Sequence, residues 1–190
     1  MDMRYFIAIN LEESLKKEVG CALEGLKAGK WDVKWAPAEN LHITLKFMGD
    51  ASDNSVQRVK EHLAGISKRH RPFGVKLYGV GIFPDRRRPR VVWIDLLNSE
   101  ELIKLQEEVE TSIITIGFAR EDRLFSPHLT IGRIRSLRDR DSFISAIETL
   151  KDKDFGNIGV NKISLMNSEL KSIGAQYSIV AEFPLMKEAQ

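Results

Sequence analysis

Two short motifs contain the residues of this chain that are best suited to chemistry. The same pattern, His-x-Thr-x, occurs at residues 42–45 (HITL) and again at residues 128–131 (HLTI). Successive side chains of a β-strand point to opposite faces, so each histidine shares a face with its threonine while the apolar residues take the other face. Each motif therefore presents an imidazole and a hydroxyl together on a strand that a hydrophobic core can hold in place.

Two imidazoles suit a reaction in which one proton is taken and another is given. Because imidazole titrates at about pH 6.5, one ring can be neutral while the other is protonated. Hydrolysis of a cyclic phosphodiester needs this combination: a base takes a proton from the attacking water, and an acid protonates the departing ribose oxygen. The hydroxyls of Thr44 and Thr130 can donate hydrogen bonds to the phosphate oxygens.

The sequence contains no pattern typical of metal-dependent, ATP-dependent or serine-nucleophile catalysis. No Cys-x-x-Cys, His-Glu-x-x-His or carboxylate cluster supplies further ligands for a metal ion. A Walker-type phosphate loop and a Gly-x-Ser-x-Gly nucleophile elbow are also absent from the sequence. We interpret the other two histidines, His62 and His70, as surface residues of a charged helix. The sequence therefore predicts an activity that requires neither a metal nor another cofactor.

The elements that position the motifs follow from the spacing of apolar residues. Helical spacing occurs in four segments, near residues 11–26, 56–66, 102–113 and 143–150. Short apolar or alternating runs predict strands at residues 5–9, 31–35, 42–47, 73–83, 91–96, 128–134, 158–168 and 175–185. The order strand, helix, strand, helix, strand occurs twice, and His128 follows His42 by 86 residues. This repeat predicts duplication of one α/β unit into two lobes.

Length and composition favour one compact cytoplasmic domain. The chain has 190 residues, 43% of them hydrophobic and 29% charged, and a single cysteine, Cys21. No run approaches the roughly 20 apolar residues of a membrane helix, and the first residues do not resemble a signal peptide. The net charge of +2 is too balanced for a protein that wraps nucleic acid, although arginines cluster at residues 86–90 and 133–140.

The motifs and their surroundings resemble the two-histidine (2H) phosphoesterase superfamily, and within it the RNA 2′,3′-cyclic phosphodiesterases once called 2′-5′ RNA ligases. The resemblance covers nearly the whole chain and includes the segments 4–9, 35–37, 40–49, 81–84, 89–93, 125–133 and 168–185. It implies an α+β fold over residues 1–190, in which two pseudo-symmetric lobes surround a central cleft. Each lobe would be an antiparallel-rich sheet with helices on its outer face.

The resemblance also implies roles for the motif residues. His42 would be the proton donor and His128 the proton acceptor, and the cyclic phosphate would open to a 2′-phosphomonoester. The residues alone do not choose which histidine takes which role. Thr44 and Thr130 match the hydroxyls with which the family contacts phosphate.

Two basic residues near the motifs are candidates for further contacts with substrate. Arg133 follows the second motif and is a candidate phosphate contact, although an ideal strand would place it on the face opposite His128. Lys46 shares the parity of His42 and Thr44, which makes it a candidate for the substrate backbone. The alternative for Lys46 is a solvated lysine.

We expect a monomeric enzyme whose partner is RNA with 2′,3′-cyclic phosphate ends, such as tRNA fragments. Such a substrate would give the protein a role in RNA processing. Reverse 2′-5′ joining of RNA ends is an expected side activity. Two alternatives stay open: a phosphodiesterase that acts on small cyclic nucleotides, and a non-catalytic RNA-binding module. The paired motifs argue against the second, because pure binding needs no titrating groups at matching positions.

Overall fold

The strands form two antiparallel sheets in a computed structural model that describes residues 3–171 and 174–186. The strands are β1 Met3–Asn10, β2 Asp32–Trp35, β3 His42–Asp50, β4 Phe73–Phe83, β5 Val91–Leu97, β6 His128–Ser136, β7 Asp154–Val160, β8 Lys162–Lys171 and β9 Gly174–Pro184. The helices are α1 Glu13–Ala22, α2 Glu24–Lys27, α3 Asp53–Ser67, α4 Glu100–Ile114 and α5 Arg140–Glu148, with a 3-10 turn at Ala38–Asn40. In this described part of the chain, no helix is long and apolar enough to span a membrane.

The predicted α+β class is confirmed, with one difference in the strands. The segment 158–168, predicted as one strand, belongs to two strands, β7 and β8. The chain leaves one sheet and enters the other at Asn161, between these strands, and a continuous apolar pattern hides this change of sheet. Residues 172–173 and both ends of the predicted 1–190 domain lie outside the described residues.

Each sheet combines strands from distant parts of the chain. The four-stranded sheet has the order β3-β1-β8-β9, and the five-stranded sheet has the order β2-β6-β5-β4-β7. The last two strands, β8 and β9, therefore complete the sheet that begins with β1. Strand β4 pairs with β5, its neighbour along the chain, because a short connection favours antiparallel pairing of consecutive strands.

Each sheet is also covered by helices from both halves of the chain. Helix α3 contacts β8 and β9, and α4 contacts β3, so these two helices cover the four-stranded sheet. Helix α1 contacts β7, and α5 contacts β4, so these cover the five-stranded sheet. Each lobe therefore contains elements from both halves of the chain, which the linear repeat in the sequence did not predict.

The hydrophobic core lies between the sheets and their helices, on the side away from the motif histidines. Ile43 and Leu45 of the first motif, and Leu129 and Ile131 of the second, are almost fully buried in this core. On the opposite face of β1, Phe6 packs in a second, smaller cluster with Ala8, Met166 and Tyr177. The apolar half of each motif thus anchors its strand, as the alternating pattern predicts. We call the other side, which bears the histidines and threonines, the motif face of each sheet.

Candidate active site

The two histidines occupy equivalent positions at the start of two strands. His42 is the first residue of β3 and lies opposite Asn10 of β1, while His128 is the first residue of β6 and lies opposite Asp95 of β5. Strands β3 and β6 contact each other, although they belong to different sheets. The structure therefore brings together the two strands that contain the motifs.

Both imidazoles are held by the same kind of hydrogen bond. The Nδ1 atom of His42 lies 2.7 Å from the carbonyl oxygen of Asn40, and Nδ1 of His128 lies 2.7 Å from the carbonyl oxygen of Ser126. A carbonyl oxygen can only accept, so Nδ1 must carry the hydrogen in both rings. This leaves Nε2 of each ring as the nitrogen that can take a proton when the ring is neutral and give one when it is charged.

Aromatic side chains surround each histidine and restrict its orientation. The His42 ring lies 4.9 Å from the Phe6 ring and meets the Tyr177 ring edge-on at 5.3 Å, measured between centroids. The His128 ring meets Phe83 edge-on at 5.3 Å, and Phe83 in turn stacks on Trp93 at 4.8 Å. Phe6 and Phe83 thus contact the two motif histidines directly.

The environment of His42 favours its neutral form. Burial of the imidazole lowers the pKa of His42, and this effect outweighs the hydrogen bond to Asn40, which acts in the opposite direction. The positive charge of Lys16 lowers the pKa further. A lower pKa also makes the His42 imidazolium a stronger acid once it is formed.

A β-bulge follows the threonine in each motif and reverses the alternation of the strand. Leu45 has no partner in the register between β3 and β1, and Ile131 has none in the register between β6 and β5. An unpaired residue of this kind shifts the side chains that directly follow it to the opposite face. The faces that an ideal strand predicts for Lys46 and Arg133 are therefore both wrong.

Arg133 joins the motif face as a result of the bulge. Its side chain is exposed, while its neighbours Gly132 and Ile134 are buried on the core side. In the register between β2 and β6, Arg133 lies directly opposite Lys34. Sequence reasoning missed Lys34, whose place between two apolar residues of a strand indicates exposure but does not reveal its partner. The two residues place two positive charges side by side on the motif face.

Lys46 turns to the core as a result of the other bulge, so it is neither on the motif face nor solvated. Its Nζ atom donates to Oε2 of Glu110 at 2.7 Å and to the carbonyl oxygen of Ala119 at 2.9 Å. The other carboxylate oxygen of Glu110 accepts from the backbone nitrogen of Glu121 at 2.9 Å. This position gives no support to the expected contact between Lys46 and substrate.

The threonines remain on the motif face, beside their histidines. Thr44 lies opposite Ala8 of β1, and Thr130 lies opposite Trp93 of β5, and both side chains are half-buried. Each hydroxyl is thus two residues from its imidazole on a paired strand, where the backbone hydrogen bonds keep it in place. The structure brings together the imidazole and the hydroxyl of each motif as the sequence predicts.

The remaining histidines lie elsewhere, His62 in α3 and His70 just after it, and both contact side chains of α4. Nδ1 of His62 lies 2.7 Å from Oγ of Ser112, and Nε2 of His70 lies 2.6 Å from Oε2 of Glu108. Both are partly buried rather than fully exposed, because the two helices pack against each other. Among the residues that the structure describes, no group of three or more His, Cys, Asp or Glu side chains is arranged to hold a metal ion.

The arginine cluster at residues 86–90 forms the exposed connection between β4 and β5. Arg86 forms an ion pair with Glu148 of α5. The carboxylate of Asp85 accepts hydrogen bonds from the backbone nitrogens of Arg87 and Arg88, which hold the pKa of Asp85 below its ordinary value. These contacts give the start of the cluster a structural role in shaping the turn.

A family model and individual relatives among known proteins indicate the same family for this chain. A family model described as LigT-like phosphoesterase matches residues 9–93 and, a second time, residues 94–177. The chain is 35% identical over 185 residues to the RNA 2′,3′-cyclic phosphodiesterase of Methanothermobacter thermautotrophicus, covering 97% of this chain and all of that protein. It is 37% identical over 175 residues to the protein of the same name from Aquifex aeolicus, covering 91% of this chain and 88% of that one.

A solved structure has the same fold. The crystal structure of TT0787 of Thermus thermophilus superposes with a TM-score of 0.82 at 24% identity, covering 96% of this chain and 97% of the other. The double match of the family model agrees with the duplication inferred from the repeated motif. The resemblance recognised from residues 42–45 and 128–131 is therefore confirmed, and the chain belongs to the LigT-like phosphoesterase family.

Proposed function

We propose that this protein hydrolyses the 2′,3′-cyclic phosphate ends of RNA to 2′-phosphomonoesters by acid–base catalysis at His42 and His128. The main support is the matched pair of imidazoles, each with Nδ1 bound to a carbonyl oxygen and Nε2 available for proton transfer. Relatives that match nearly the whole chain are named RNA 2′,3′-cyclic phosphodiesterases, which supports the choice of substrate.

The reaction needs two proton transfers, and each histidine performs one of them. Nε2 of His128 takes a proton from water as the water oxygen forms a new bond to phosphorus. The bond between phosphorus and the 3′ oxygen breaks, and that oxygen takes a proton from Nε2 of His42. The negative phosphodiester favours the charged form of His42 and so counteracts the lowered pKa of its imidazole.

Hydrogen-bond donors on the motif face stabilise the charge that develops on the phosphate. Thr44 and Thr130 are the donors nearest to the two histidines along their strands, and Arg133 adds a positive charge beyond Thr130. All of these groups belong to the chain, so the proposed mechanism uses no metal and no other cofactor. The same groups permit the joining of RNA ends through a 2′-5′ linkage, with the 5′ hydroxyl of a second RNA in place of water: its proton goes to His128, its oxygen bonds to phosphorus, and the 3′ oxygen leaves with a proton from His42.

The charge on the motif face favours RNA over a small cyclic nucleotide. Arg133 and Lys34 lie opposite each other on β6 and β2, with their side chains exposed. A mononucleotide has one phosphate for the motifs, whereas an RNA chain has further backbone phosphates for this basic pair. We propose a monomeric cytoplasmic enzyme for which RNA ends of this type, including tRNA fragments, are substrates.

The test is hydrolysis of a short RNA with a 2′,3′-cyclic phosphate end in the presence of EDTA. The wild type is compared with His42→Ala and His128→Ala, and with His62→Ala as a control outside the motifs. We expect EDTA-resistant formation of a 2′-phosphate by the wild type and the control, and loss of turnover by at least about 10²-fold in each motif variant. Absence of turnover by the wild type, or turnover that survives both motif substitutions, would contradict the proposal. Bound RNA without any turnover would indicate a binding module.

A further inference from the structure

A cavity of about 360 Å³ opens beside His42, on the motif face of the four-stranded sheet. We call it the His42 pocket; its lining includes Asn10, His42, Asn161, Met166, Tyr177 and Ile179. Its volume lies within the range of about 300–1,000 Å³ that is usual for small-ligand pockets. Of the described residues that line it, one is a motif histidine, and that histidine is His42 rather than His128.

The proposed reaction places the terminal ribose on this side of the phosphate. The oxygen that takes a proton from His42 remains part of the ribose after the bond to phosphorus breaks. The attacking water, in contrast, lies on the opposite side of phosphorus, near His128, because attack and departure are in line. The 3′-terminal nucleoside is therefore the part of the substrate that lies nearest to the His42 pocket.

The pocket offers an apolar wall that suits a flat base. Ile179 is 54% exposed although it is a large apolar residue, and Met166 and Tyr177 lie near it on the same face of the sheet. The Tyr177 ring also touches the His42 ring, at 5.3 Å between centroids. A nucleobase that packs on these side chains would cover apolar surface that is otherwise exposed to water.

A chain of hydrogen bonds fixes the orientation of the Asn10 amide in the pocket. Lys162 donates to one carboxylate oxygen of Glu182 at 2.8 Å, and the Ser164 hydroxyl donates to the other at 3.4 Å. Because the Ser164 hydrogen is used in this way, its oxygen accepts from Nδ2 of Asn10, at 3.1 Å. The carbonyl oxygen of Asn10 is then the atom that can accept a hydrogen bond from an N–H group of a base.

The charge of the pocket opposes a second phosphate group. Its lining contains two lysines and four glutamates, namely Lys16, Lys162, Glu12, Glu13, Glu39 and Glu182. Both lysines are already paired, Lys16 with Glu13 and Lys162 with Glu182. The uncompensated carboxylates repel backbone phosphates and leave an uncharged group as the suitable occupant.

We propose that the His42 pocket binds the base of the 3′-terminal nucleoside, while the preceding RNA chain leaves along the basic side near Arg133. This proposal rests on the proposed function, because the direction of bond breaking places the ribose beside His42. The pocket would thus contribute to both affinity and alignment of the leaving oxygen, and it would contact the terminal base of any RNA substrate.

The test compares two RNAs of equal length that end in a 2′,3′-cyclic phosphate. One has a normal terminal nucleoside, and in the other a hydrogen atom replaces the terminal base. The ratio of their kcat/KM values isolates the contribution of the base, because damage to the catalytic groups affects both RNAs alike. The ratio is measured for the wild type, for Ile179→Ala and Tyr177→Ala, and for Leu97→Ala, an exposed apolar control at the end of β5.

We expect the wild type to prefer the normal end by about tenfold, as one stacked base typically contributes. The preference should fall several-fold in Ile179→Ala and Tyr177→Ala and stay unchanged in Leu97→Ala. Equal hydrolysis of the two RNAs by the wild type, or an unchanged preference in both pocket variants, would overturn the inference while leaving the proposed function intact. Failure of the wild type to hydrolyse either RNA would overturn the proposed function, and this inference with it.

Discussion

Lys46 and Glu110 join the strand of the first motif to the segment that leads into the second. Their ion pair measures 2.7 Å, and the two side chains are 0% and 13% exposed. The same ammonium group binds the carbonyl oxygen of Ala119, and the same carboxylate binds the backbone nitrogen of Glu121. Strand β3, helix α4 and the start of the connection to His128 are therefore fixed by one buried ion pair.

Removing one partner of this pair should destabilise the fold strongly. Lys46→Met leaves the Glu110 carboxylate buried without its countercharge, and we expect the free energy of unfolding to fall by about 3–5 kcal/mol. The double variant Lys46→Met with Glu110→Met should lose less than the single variant, because no unpaired charge remains. Urea denaturation measures both. Lys104→Met is the matched control, since its pair with Glu101 is exposed; a loss in Lys46→Met as small as in this control would contradict the structural role.

The lowered pKa of His42 should be visible by titration. The imidazole signals of His42 in NMR spectra should change below the ordinary value of about pH 6.5, because burial disfavours the charged ring. Lys16→Gln should move the midpoint to higher pH, because it removes a positive charge near the ring. Lys17→Gln, an exposed neighbour on α1, should leave it in place. A midpoint at or above the ordinary value would show that burial does not control this group.

The same shift gives His42 a pH-dependent effect on stability. A histidine whose pKa is lower in the folded state binds fewer protons there than in the unfolded chain. Its stabilising contribution is therefore complete above about pH 6.5 and is lost as the pH falls through the lowered pKa. We expect the free energy of unfolding of the wild type to decrease over this range more than that of His42→Gln. Parallel curves for the two proteins would contradict the assignment of the shift to His42.

The threonine hydroxyls should matter for the rate rather than for folding. Thr44→Val and Thr130→Val keep the shape of the side chain and remove the donor, so we expect kcat to fall by about 10²-fold in each. Thr44→Ser and Thr130→Ser retain the hydroxyl and should stay within a few-fold of the wild type. Single-turnover rates on the cyclic-phosphate RNA measure the effect. Equal losses in the Ser and Val variants would mean that packing, and not the hydroxyl, is responsible.

Arg133 should contribute a salt-dependent contact with the RNA backbone. Arg133→Gln should weaken RNA binding and reduce the slope of log K against log salt by about 0.7, the value for one phosphate contact on a single strand. Arg140→Gln, an exposed control at the start of α5, should keep the wild-type slope. Fluorescence anisotropy of a labelled RNA at several salt concentrations gives the slopes. An unchanged slope in Arg133→Gln would place the RNA chain elsewhere on the surface.

The amino-acid sequence by itself identified the candidate catalytic residues and determined most of the local structure. Two identical patterns at residues 42–45 and 128–131 identified the imidazoles and hydroxyls, and alternation showed which side of each motif faces the core. Such information is local, because strand and helix periodicity depend on residues a few positions apart. The order of strands and helices was predicted for the same reason, except that residues 158–168 belong to two strands, and the two matches of the family model agree with the predicted duplication.

Only the tertiary structure decided where Arg133 and Lys46 point and which sheet each strand joins. The bulges at Leu45 and Ile131 depend on the register with β1 and β5, and the pairing of β1 with β8 joins residues more than 150 positions apart. A single unpaired residue reverses the side chains that directly follow it, and neither propensity nor parity within one strand contains that information. The reversal exposes an arginine on the motif face and buries a lysine against Glu110, because the positions of both are set by partners that are distant in the sequence.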